Sequence, residues 1–317
     1  MNSAAAILEK SPPEKISLAG ALAARLSSAT LIKRDEPMAR HTTLRIGGPA
    51  DVDVEPASAA DLAAILKFCG ERGVKFFALG RGSNLLVRDG GFRGVVICLA
   101  HPHFSRIEID GACLRCGAGA KLKNVAVEAK RNGLSGVEFL EGIPGSVGGA
   151  LRMNAGAMGG ATFDAVQSVR MMDHAGEIRE LTPPEMSVEY RACATLKHHI
   201  ALDAVFRCAP QPREEIERRM KAFSEKRWRS QPAAPSAGCL FKNPAAIPAG
   251  RLIDELGLKG ARVGGAVVSA EHGNFIVNDG RATARDVLAL IEMLQAKAKA
   301  GRGIELRPEV EIIGEED

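Results

Sequence analysis

A chain of 317 residues has room for two or three domains with ample core. Apolar residues at 46% and charged residues at 25% are ordinary for a soluble protein, and no window approaches the roughly 20 apolar residues of a membrane span. A net charge of only +4, with bases and acids interleaved, and 4% aromatics argue against a nucleic-acid surface and leave an anionic small molecule as the natural partner.

The first 30 residues read as a loose arm followed by a helix over 16–26. They lack a basic leader region, and Pro12-Pro13 interrupts their one apolar patch, so a secretory signal is not expected. Residues 42–54 alternate and predict a strand. Ser58, with Asp61 three positions on, opens a helix whose apolar face is Leu62, Ile65, Leu66 and Cys69. Strands follow at 75–79 and 95–99, with a glycine turn at 80–84 and an extended run at 85–87. This makes a small α/β unit.

Asp110-Gly111 between two alternating runs signals a hairpin. Its Cys113 and Cys116 lie three apart and point to opposite faces of a strand, so they make no metal site. Seven cysteines without framework spacing read as reduced thiols in a cytosol. A helix over 122–131 stops at Gly133. A long glycine loop over 142–160 comes next, then strands at 166–172 and 177–181 and a short helix from Thr182. Another strand at 200–208 completes an antiparallel sheet. Pro210 and Pro212 mark a boundary. Beyond it lie helices at 213–229, 248–256 and 282–300, and strands at 263–269, 274–277 and 304–313.

The glycine segments carry the first chemical signal. Glycine is costly in chain entropy, so a dense run needs a reason, and the usual one is close approach of backbone to a ligand. Bare amides in such turns suit phosphate oxygens. A flexible linker is the bland alternative, which Ile143, Leu151 and Met153 disfavour. Neither segment is a dinucleotide fingerprint, since Leu85 stands where the third glycine belongs, and no lysine phosphate loop occurs.

Five clusters in this order have a more specific meaning: Gly80-Arg-Gly-Ser-Asn84, the run 142–156, Tyr190-Arg191, Ser236-Ala-Gly-Cys239-Leu-Phe-Lys242-Asn243-Pro244, and Leu306-Arg-Pro308-Glu309-Val310. Together, over residues 42–314, they resemble the UDP-N-acetylenolpyruvoylglucosamine reductase (UDP-N-acetylmuramate dehydrogenase) family, in its shorter variety without an inserted tyrosine loop. The resemblance implies an α+β protein: a two-domain FAD-binding fold of the vanillyl-alcohol-oxidase (PCMH) type and a C-terminal α+β substrate-binding domain. The implied divisions are an arm at 1–30, FAD-binding subdomains at 31–100 and 101–210, and a substrate domain at 211–317.

FAD is then expected to be non-covalent, since no histidine lies in either loop. Gly80, Arg81, Gly82, Ser83, Asn84 and Leu85 would hold it from one side. Gly142, Ile143, Pro144, Gly145, Ser146, Gly148 and Gly149 would hold it from the other, with Asn154, Ala155 and Gly156. The implied reaction uses NADPH as hydride donor and UDP-N-acetylglucosamine-enolpyruvate as substrate, a cytoplasmic step in peptidoglycan precursor synthesis. A hydride goes to the vinyl carbon of the enolpyruvyl ether and a proton to its neighbour. Arg191 suits the substrate carboxylate as a bidentate fork. Glu309 would help polarise the enol as an acid. Cys239, where many members carry serine, would give the proton. The bland readings are an ion pair for Arg191, a solvated carboxylate for Glu309 and a small core residue for Cys239. Tyr190, Arg227, Gln231, Asn243 and Lys259 match substrate-contacting positions. An oxygen-using flavin oxidase of the same fold, or a non-catalytic nucleotide-sugar-binding module, remains the alternative.

Overall fold

The computed structural model describes residues 17–316. Of the arm expected over 1–30, the part before residue 17 lies outside them. The first helix runs only over Leu18–Ala23, with the Ser17 hydroxyl accepting from the Gly20 amide.

The first unit is a four-stranded sheet in the order Leu31–Pro37, Pro49–Glu55, Phe92–Cys98, Phe76–Leu79. Its last three strands are parallel and the first pairs antiparallel. Helix Ala59–Arg72 makes the crossover. Its Ser58 cap accepts from the Asp61 amide, and Gly73 ends it at φ +63°. The strand expected over 42–54 forms only at Pro49–Glu55. The Thr42 hydroxyl accepts from the Ile46 amide at 3.2 Å and donates to the Ile46 carbonyl at 2.8 Å. This local pairing holds a turn where alternation suggested a strand. Strand Leu31–Pro37 has a charged centre and no clean alternation, and sequence reading did not find it.

The second unit is a five-stranded antiparallel sheet ordered Ile178–Leu181, Val166–Asp173, His199–Arg207, Cys113–Gly117, Ile107–Asp110. The hairpin turn sits at Gly111, φ +55°. One apolar core runs through both units, joining Val54, Leu66 and Phe68 to Leu114, Leu151 and Phe206. Helix Arg213–Ser230 buries Ile216 and Met220 in the same core. The expected glycine loop is not all loop: it contains the helix Val147–Arg152. Two glycines there cost helix propensity. Burial of Val147, Ala150 and Leu151 outweighs it.

The third unit is a four-stranded antiparallel sheet ordered Ser236–Cys239, Phe275–Asn278, Ala266–Val268, Arg262–Val263. Its core also takes in Leu44, Ile46 and Leu86 of the first unit. Helices Ala249–Glu255 and Ala284–Arg302 pack on it. The closing strand, expected over 304–313, is only Glu311–Ile313. It pairs in parallel with Leu85–Val87, in the register Glu311↔Leu85 to Ile313↔Val87. Before it, Pro308 bridges Phe241 and the Glu309 amide donates to the Leu240 carbonyl at 2.7 Å. The chain end thus leaves the third unit and locks onto the strand that follows the first glycine turn. Asp89 reinforces this junction by accepting from the amides of Ala284 and Arg285 at 2.8 and 3.0 Å.

Candidate active site

The two glycine segments face each other. A Cβ on Gly80 would lie 2.7 Å from the Ser146 hydroxyl and 3.8 Å from the Gly149 Cα. Between them opens a cavity of about 550 Å³, lined by Gly80, Arg81, Ser146, Gly148 and Gly149. That volume lies within the usual range for a cofactor. Among the described residues, the amides of Arg81, Gly82 and Ser83 donate no hydrogen bond. A run of unspoken-for amides beside an arginine fits a phosphate. The residues present therefore fit a dinucleotide such as FAD.

Not every glycine serves the ligand. Gly82 has φ +57°, and a Cβ there would sit 2.1 Å from the His41 carbonyl, so it lets two protein backbones touch. Leu85 is buried in its strand. Gly142 and Ile143 close a 3-10 turn, Gly145 receives the Leu122 amide, and Pro144 lies between them; none of the four lines this cavity. Asn154 is occupied at both ends: its amide donates to the Glu189 carbonyl at 3.1 Å and its oxygen accepts from the Phe163 amide at 3.2 Å. The Ala155 carbonyl receives Thr162. Sequence reading missed Thr42, Thr43, Gly119 and Arg152 on the cavity wall. They lie in a segment read as strand, in a hairpin flank, and in a helix read as loop.

Gly149 yields a sharp prediction. A Cβ there meets only the Ser146 hydroxyl, at 3.7 Å. Gly149→Ala should leave folding within about 1 kcal/mol of wild type, since alanine favours the helix. Its methyl projects beside the cavity, so FAD affinity should fall by at least about tenfold, one such factor being roughly 1.4 kcal/mol. Thermal melting and flavin fluorescence titration check the two halves separately.

The chain gathers a second group, linked through Asn84 to the first glycine turn. Tyr190 and Arg191 form the turn of the hairpin Val188–Glu189/Ala192–Cys193, with Arg191 in the left-handed region at φ +58°. A non-glycine residue there is strained by roughly 1–2 kcal/mol. The Arg191 guanidinium is held on three sides. Its Nε lies 3.0 Å from Glu309 Oε1, its Nη2 donates to the Gly156 carbonyl at 3.4 Å, and the Tyr190 ring lies 5.1 Å beneath it. Tyr190 is itself 56% exposed.

Cys239 ends its strand after a register shift at Gly238, φ +76°. Burial pushes its thiol up to about 11, the Glu309 carboxylate adds to this, and Arg191 and the Asn274 side chain oppose it. Burial also raises the Glu309 carboxyl above its usual range, against the pull of Arg191 and Lys242. Asn84 fastens the group to the first glycine turn: its side-chain amide donates to the Glu309 carbonyl at 3.1 Å. Arg191, Cys239 and Glu309, from three distant stretches, thus form one electrostatically linked group. Lys242 and Asn274 belong to it and were not singled out from sequence, although Lys242 stands three positions after Cys239.

The other candidates are more dispersed. Burial lowers the pKa of Arg227, with Glu141 opposing. Gln231 caps the C-terminus of helix Arg213–Ser230. Asn243 accepts from the Ala249 amide at 3.0 Å, and Lys259 pairs with Asp254 at 2.8 Å. Both are engaged within the protein.

Comparison with known proteins gives the family. A family model described as UDP-N-acetylenolpyruvoylglucosamine reductase, C-terminal domain, matches residues 231–313, and one described as an FAD binding domain matches residues 50–182. A UDP-N-acetylenolpyruvoylglucosamine reductase of Pelobacter propionicus is 45% identical over 92% of this chain and 98% of its own. One of Geobacter metallireducens is 46% identical over 90% and 95%. The crystal structure of UDP-N-acetylenolpyruvylglucosamine reductase from Thermus caldophilus superposes with a TM-score of 0.79 at 40% identity, covering 89% of this chain and 99% of that one. The cavity, the arginine–thiol–carboxyl group linked to it and these likenesses lead to one assignment: the chain belongs to the UDP-N-acetylenolpyruvoylglucosamine reductase family.

Proposed function

We propose that this protein reduces UDP-N-acetylglucosamine-enolpyruvate to UDP-N-acetylmuramate, with NADPH as hydride donor and non-covalent FAD as cofactor, in the cytoplasmic synthesis of peptidoglycan precursors. The convergence of Arg191, Cys239 and Glu309, fastened through Asn84 to the glycine turn whose Gly80 and Arg81 line a dinucleotide-sized cavity, supports this reading. Among the described residues no helix is long and apolar enough to cross a membrane.

In this reading residues 31–100 and 101–210 hold the cofactor, and 211–317 cover the substrate. When bound, FAD supplies the hydride that reaches the vinyl carbon. The residues of the chain do the rest. Arg191 grips the substrate carboxylate through its fork and stabilises the charge that develops there, usually the largest single contribution to catalysis. Glu309, whose carboxyl burial raises above its usual range, donates to that same charge in its protonated form. Cys239 gives its proton to the neighbouring carbon, and solvent restores it. The desolvated cation of Arg227 favours an anionic partner such as the substrate diphosphate. Tyr190 and Gln231 would frame the same ligand. Asn243 and Lys259 would reach it by releasing the Ala249 amide and Asp254.

The visible spectrum tests the whole. Purified protein should be yellow, NADPH should bleach it without oxygen, and the enolpyruvyl sugar should restore the colour. A colourless protein would favour a nucleotide-sugar-binding module. Colour restored by oxygen alone would favour an oxidase.

A further inference from the structure

Arg152 ends the short helix inside the second glycine segment, and its side chain faces two ways. It lines the cofactor cavity. Its Nη2 also lies 2.6 Å from Oε1 of Glu311. Glu311 opens the closing strand, two residues beyond Glu309, and pairs beside Leu85 immediately after the first glycine turn. That strand is three residues long and so is its partner, so the ladder alone holds it weakly. Both members of the ion pair are about one-third exposed. Pairs this exposed add little to folding. Location distinguishes this one: a single guanidinium stands between a cavity suited to a diphosphate and the strand that carries the site's acid.

We infer that Arg152 is a positioning residue that ties occupancy of the cofactor cavity to the placement of Glu309 through Glu311. This rests on the function proposed above. The Arg152 guanidinium, whose Nη1 also donates to the Leu196 carbonyl at 3.4 Å, would be shared between the Glu311 carboxylate and the diphosphate of a bound cofactor. Removing the carboxylate leaves phosphate as the fork's one anion. Removing the arginine leaves two anions near each other without a cation. The strand then loses one of its anchors, and Glu309 is left to the Leu240 carbonyl, Asn84, Arg191 and the short ladder and bridge on either side of it.

A double-mutant cycle on the full chain tests the tie. FAD release from diluted holoenzyme is followed by flavin fluorescence. Glu311→Gln should slow release about fivefold, and Arg152→Met should speed it about tenfold. The double variant should match Arg152→Met, because Glu311 acts on the cofactor only through Arg152. Arg152→Lys, which keeps the charge, should recover most of the retention. Reoxidation of the reduced enzyme by the enolpyruvyl sugar should slow about tenfold in Glu311→Gln, and its pH limb should move. A merely structural pair would not make cofactor release slower on losing its acid. Release from Glu311→Gln at or above the wild-type rate, or an equal Glu311→Gln effect in the Arg152→Met background, overturns the inference. Failure of the wild type to be reoxidised by the sugar would instead defeat the proposed reaction, and the release cycle would still judge the tie by itself.

Discussion

Cys239→Ala should slow reduction of the enolpyruvyl ether by about 10²–10⁴-fold, the usual worth of a placed proton donor. Bleaching of the flavin by NADPH should persist, because that half-reaction needs no proton on the substrate carbon. Cys239→Ser should keep most of the turnover, since a hydroxyl can occupy the same place. The thiol's surroundings make the argument stronger than its ordinary acidity does. A free cysteine titrates near 8.5. Here burial and the nearby Glu309 carboxylate raise the thiol to about 11. It therefore holds its proton throughout the physiological range and is a poor nucleophile or metal ligand. The pH sign follows. Ionisation of Cys239 removes the donor only as pH climbs toward about 11, so any earlier fall in rate belongs to another group. Stopped-flow measurement of both half-reactions checks this. An alanine variant that reduces the sugar at the wild-type rate would end the donor role.

Much of this site was legible in the sequence because its parts are local. The turn at 80–84 announces itself by glycines after an apolar strand, and the Asp110-Gly111 hairpin by its turn residues. The capped helix from Ala59 announces itself by Ser58 and Asp61. What failed was non-local. Gly148 and Gly149 argue against a helix, and only the packing of Val147 and Leu151 on a distant sheet overrides them. The closing segment has strand-like residues from Ile304 onward. Its partner, Leu85–Val87, lies at the other end of the chain, and no local period encodes that pairing. The Asn84 amide reaches the Glu309 carbonyl across 225 positions. Asn84 could be read as a ligand residue, but its role in holding the acid could not. The same limit hid Arg152, whose meaning depends on Glu311. The glycines were recognised as a signal, yet their reason was only half right. Gly82 yields to the His41 backbone, whereas Gly80 and Gly149 open the cavity.

Replacing Arg191 should also cost heavily at the substrate step. Arg191→Met should lower it by about 10²–10³-fold, the scale of losing one preorganised donor to a developing anion. Arg191→Lys should recover little, because an ammonium cannot reproduce a bidentate fork. Glu309 gives this prediction a pH signature. Its carboxyl is raised by burial, which outweighs Arg191 and Lys242, so the folded protein holds that proton more tightly than the unfolded chain. Its stabilising contribution is complete below the unfolded pKa and is lost as pH rises through the folded value. The catalytic rate should fall over the same rise, since the protonated acid is the useful form. Substrate binding sharpens the effect. The incoming carboxylate competes for the guanidinium that now lies 3.0 Å from Glu309. As Arg191 turns to the substrate, Glu309 loses its strongest counter-charge and its pKa moves further up. Binding should therefore take up a proton in the pH range where Glu309 titrates, measurable by calorimetry in two buffers of different ionisation enthalpy. In Glu309→Gln, which cannot titrate, both the proton uptake and the pH limb should vanish, and stability relative to wild type should improve as pH rises. A Gln variant that keeps the wild-type pH limb would show that the limb belongs to another group and that Glu309 does not work as an acid.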